Sequence, residues 1–85
     1  MKHAGPTTLA SLSELLARLR CVEGLVEKKP GTFYFRSKAY LHFHEDPAGV
    51  FADVRLNGED FERFAVNTRH EQESLLKLVS RSRRT

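Results

Sequence analysis

The chain has 85 residues, 40% hydrophobic and 29% charged, a composition that fits one small globular domain and not a disordered segment. No apolar run approaches the ~20 residues of a membrane-spanning helix, and the single cysteine, Cys21, excludes an intrachain disulfide and a cysteine-built zinc cluster. The formal charge of +3 equals the contribution of Arg81, Arg83 and Arg84, so the rest is neutral by count.

Residues 1–7 have no periodicity and include Gly5 and Pro6. They are expected to form a flexible arm before a domain over 8–80, with 81–85 as a basic tail. The opening MKHAGPTT lacks the apolar centre of a secretion signal, which leads to the expectation of a soluble cytoplasmic protein. Ser11 and Glu14 fit a capping box, and Leu12, Leu15, Leu16 and Leu19 follow at helical spacing. Arg18 and Arg20 suit the C-terminal end of that helix, and Gly24 is the expected stop. Cys21 lies opposite the apolar stripe with no histidine beside it in sequence, so no thiol chemistry is expected.

Lys28 to Gly31 reads as a turn around Pro30. Thr32 to Arg36 reads as a strand, with Phe33 and Phe35 inward and Tyr34 and Arg36 outward. Lys38 to Leu56 reads as two antiparallel strands joined at a loop containing Pro47 and Gly49. Its alternation places Ala39, Leu41, Phe43, Ala52, Val54 and Leu56 on a core face, and Tyr40, His42, His44, Phe51, Asp53 and Arg55 on the other. Asn57-Gly58 marks a turn, and Asp60 to Val66 is a possible fourth strand whose alternation Phe61 breaks. Thr68 and Glu71 form a second capping box ahead of a helix with Leu75, Leu76 and Val79 inward. The order α-β-β-β-(β)-α predicts an α+β fold: an antiparallel sheet of three to four strands with the N- and C-terminal helices packed on one face.

The face without helices holds the candidate site. His42 and His44 are two apart on one strand, about 6.7 Å along it, so both imidazoles share a side and can meet one metal ion. Asp53 is a possible third ligand, but pairing of His42 with Asp53 or with Phe51 depends on a loop length that the sequence leaves open. With no unambiguous third ligand, the expectation is that the pair holds no metal and that no cofactor is required. Tyr34, Arg36, Tyr40, His42, Phe51 and Arg55 also mix rings and cations as a nucleic-acid-binding sheet does. Glu45, Asp46, Asp53, Glu59, Asp60 and Glu62 around the same strands oppose a phosphate backbone. No glycine-rich phosphate loop and no nucleophile elbow is present, which argues against an enzyme.

The stretch H-x-H-x-D-x-x-G-x-x-A-D, from His42 through His44, Asp46, Gly49 and Ala52 to Asp53, resembles the bacterial domain family labelled "luciferase-like". That resemblance covers roughly residues 12–79, including the Phe33-Tyr34 strand, and implies the same helix–sheet–helix order without implying light emission. The chain departs from the family in having little sequence between the sheet and the last helix. The leading helix, Val22-Glu23-Gly24 and the segment Phe35 to Lys38 also resemble MmcQ/YjbR-like domains, small α+β proteins linked to nucleic-acid binding.

The function expected from these residues is a binding or interaction module working through Tyr34, Arg36, Tyr40, His42, His44, Phe51, Asp53 and Arg55, toward an unknown protein or small-molecule ligand and not a membrane. The alternatives are a nucleic-acid-binding domain using that face with the basic tail, and a metal-binding protein or small metal-dependent enzyme built on His42, His44 and Asp53.

Overall fold

The computed structural model describes residues 2–83. It is a small α+β fold. Strands β2 (Leu25–Lys29), β3 (Thr32–Phe35), β4 (Lys38–Asp46), β5 (Gly49–Val54) and β6 (Glu62–Ala65) form an open antiparallel sheet in that order. A two-residue strand, β1 (Lys2–His3), pairs with the far half of β4. Helices α1 (Pro6–Ser11) and α2 (Ser13–Arg20) precede β2, and α3 (Arg69–Arg83) closes the chain.

One core forms between sheet and helices. Leu12, Leu15, Leu16 and Leu19 from the first helices meet Leu75, Leu76 and Val79 of α3 over Phe33, Leu41, Phe43, Ala52 and Val54. Arg18 with Glu73 ties α2 to α3, and Arg20 with Glu27 ties α2 to β2. The Thr68 hydroxyl accepts the Glu71 amide while the Glu71 carboxylate accepts the Thr68 amide, the reciprocal cap that starts α3. Among the described residues no helix is long and apolar enough to cross a membrane.

Several expectations need correction. The stretch expected as an arm carries β1 and the start of α1. The Ala4 amide donates to the Phe43 carbonyl at 3.1 Å, the Thr8 hydroxyl donates to the Glu45 carboxylate, and Leu9 packs on the core. Met1 lies outside the described residues. Ser11 does not cap the second helix. Pro6 opens a helix earlier, so Ser11 ends α1 and its hydroxyl donates to the Thr8 carbonyl, while Leu12 stands at the N-cap of α2. Strand β2 adds a fifth strand to the expected three or four. Of the expected tail, residues 81–83 continue α3, and Arg84 and Thr85 lie outside the described residues.

Arg36 and Ser37 leave β3 and make its turn to β4, both with positive φ, at 52° and 69°. Gly31 turns β2 into β3 at φ +78°, a conformation that favours glycine, and a Cβ there would lie 2.6 Å from Leu9 Cδ2 and displace the Leu9 side chain.

Candidate functional site

The register of β4 with β5 is set by a two-residue connection, Pro47-Ala48, with Asp46 opposite Gly49. The Asp46 carboxylate accepts the Ala48 amide at 2.7 Å, which closes the turn. That register places His42 opposite Asp53 and His44 opposite Phe51. On the other edge of β4, His3 of β1 stands directly opposite His44. Cross-strand partners share a face, so His3 joins the two histidines of β4.

The three imidazoles form one cluster. Their ligand atoms lie within 4.8 Å of one another. The His3 ring stacks on that of His44 at 4.9 Å between centroids, and His42 meets His44 edge-on at 4.6 Å. His44 Nε2 is 3.1 Å from Asp53 Oδ2. Asp53 is buried, and Arg63 grips it with two hydrogen bonds, Nε to Oδ1 at 2.8 Å and Nη2 to Oδ2 at 3.1 Å. This fork is a rigid carboxylate holder. It keeps the Asp53 carboxyl below its ordinary pKa, mainly through the Arg63 hydrogen bond. Phe61 lies against the His42 ring at 4.8 Å, and the Arg55 guanidinium lies over Phe61 at 4.4 Å.

Two ring nitrogens in this cluster have no partner. His42 Nδ1 and His44 Nδ1 are buried without a hydrogen bond among the described residues. A buried polar atom left unpaired costs free energy. The Asp53 oxygen 3.1 Å from His44 Nε2 suits the Nε2–H tautomer of the ring, whose lone pair is on Nδ1.

Burial is the largest cause holding the His42 pKa below its ordinary 6.5; the His44, His3 and Arg55 charges add to it, and Asp53 acts in the opposite direction. The neutral ring is therefore favoured in the folded chain. Below 6.5 the unfolded chain takes up a proton that the folded chain resists, so stability present above 6.5 is lost as the pH falls toward the lowered folded value. Urea melts of metal-free protein at about pH 7.5 and about pH 5.5 should show the lower midpoint at the lower pH, and His42→Ala should shrink the difference.

Of the residues singled out from sequence, His42, His44 and Asp53 converge, with Asp53 behind a histidine instead of beside the ring nitrogens that remain free. Phe51 flanks His44 on the next strand, and Arg55 reaches Phe61. Tyr34 is half-buried with Lys28 Nζ 4.7 Å from its ring centroid. Tyr40 does not belong to the exposed face. The pairing of β3 with β4 slips between Phe33 and Tyr34, leaving one extra residue on β4, and Tyr40 is 3% exposed within the core cluster. Arg36 sits in a turn with its guanidinium 5.0 Å from the Phe35 ring, away from the histidines. Tyr34, Tyr40 and Phe51 are accordingly not exposed together. His3, Phe61 and Arg63 were not among the site residues read from the sequence. Comparison with protein-family models, with curated proteins and with solved structures found no match for this chain.

Proposed function

We propose that this domain is a transition-metal-binding module, with His3, His42 and His44 as the ligands and Asp53 orienting His44. The observation that supports it is the convergence of three imidazoles within 4.8 Å, one of them already held by a carboxylate. Histidine ligands commonly donate their second ring nitrogen to a carboxylate, which fixes the tautomer and raises basicity. Histidine stacking alone leaves His42 Nδ1 and His44 Nδ1 unsatisfied, whereas a metal ion accepts imidazole lone pairs. An ion bonded at ~2.0–2.1 Å to each ring would draw the nitrogens to roughly 3.3 Å apart. With three nitrogen ligands and no thiolate, zinc is the natural first candidate. This reading takes up the metal-binding alternative and departs from the expectation that the histidine pair holds no metal.

Calorimetric titration of metal-free protein with zinc should show one equivalent bound. The double variant His42→Ala/His44→Ala should lose that equivalent while its urea melt remains cooperative. Absence of binding by the intact chain, or equal binding by the double variant, would contradict the proposal.

A further inference from the structure

The strands β1 and β3 follow each other along the same edge of β4. β1 pairs with residues 44–45 and β3 with residues 38–41. Between their ends is a cleft of about 460 Å³ whose walls include His3, His42, Lys29, Thr32 and Tyr34. That volume suits a small molecule. Among the described residues its lining contains no Asp or Glu, and Lys29 is its one permanent cation. Lys29 is exposed and makes no ion pair among the described residues. Glu27, two residues before it, is engaged by Arg20 and by the Gly31 amide.

The ligand set has an electrostatic consequence. Three imidazoles bring no negative charge, so a divalent ion held by them keeps its full +2 charge. Asp53 does not cancel it, because Arg63 neutralises that carboxylate. Three protein ligands also leave one position of a tetrahedral ion open. Two of the three rings border the cleft, so an exogenous group can reach the ion from there.

We propose that the cleft receives a small oxyanion, a carboxylate or a phosphate, which takes the open position on the ion while Lys29 balances its charge. Thr32 and Tyr34, both hydroxyl-bearing, also line the cleft. This inference rests on the three-histidine metal reading.

The test uses the cobalt(II)-loaded chain, whose visible absorption reports the coordination sphere. Inorganic phosphate and acetate are added separately at millimolar concentration. A saturable change with either anion is expected, and the stronger responder identifies the chemistry. Lys29→Gln should weaken that response about 3–10-fold, the effect of losing one charge-assisted contact, and leave cobalt affinity unaltered. Cobalt bound with no response to either anion would overturn the oxyanion proposal alone, as would a Lys29→Gln response equal to wild type. Failure of cobalt to bind would remove the metal reading and this inference with it.

Discussion

Phe43→Ala is expected to remove a large share of the chain's stability and to lower its urea midpoint sharply. Phe43 is 2% exposed beneath the helices, and removing a buried phenyl group costs about 3–5 kcal/mol. An 85-residue domain has roughly 4–13 kcal/mol of total stability at 0.05–0.15 kcal/mol per residue. Tyr40→Ala belongs in the same class, since Tyr40 is 3% exposed in the core cluster. His42→Ala removes a half-buried ring on the other face and should cost far less, about 0.5–1 kcal/mol of cross-strand packing. Urea melts of the three variants check this ranking. A Phe43→Ala midpoint near wild type, or a His42→Ala loss as large as that of Phe43→Ala, would contradict the division into core and site faces.

The legible parts of this fold were those with enough residues to show a period. The alternation from Leu41 to His44 and from Ala52 to Val54 identified both faces of the β4–β5 hairpin, and the leucine spacing identified α2. Thr68 with Glu71 located the start of α3 because a reciprocal cap needs only local residues. Strand β2 was hidden because a register slip between Glu27 and Lys29 interrupts its alternation, and only Leu25 on it is buried. The same kind of slip on β4 turned Tyr40 inward against the simple count. Phe61 broke the expected alternation because it precedes β6, where it is free to lie on His42. His42 and His44 were visible as a pair. His3 was not, because a strand of two residues has no period and its partner lies 41 positions away in sequence. The only available hint was a histidine shortly before a proline-initiated helix, which is weak without the sheet register.

His3→Ala should therefore separate a two-histidine surface from a three-histidine centre. Four-ligand structural zinc sites bind with apparent energies of about 10–16 kcal/mol, or roughly 3 kcal/mol per ligand, so loss of one ligand should weaken zinc on the order of 100-fold. The substitution lies at an exposed position outside the core, so folding should survive it. Competition against a chelator of known zinc affinity, run in parallel on wild type and His3→Ala, measures the difference directly. The three-histidine centre predicts one zinc per chain in the wild type and an affinity about 100-fold lower in the variant. Equal affinity of the two proteins would contradict it, because His3 would then be a stacking neighbour of His44 and not a ligand.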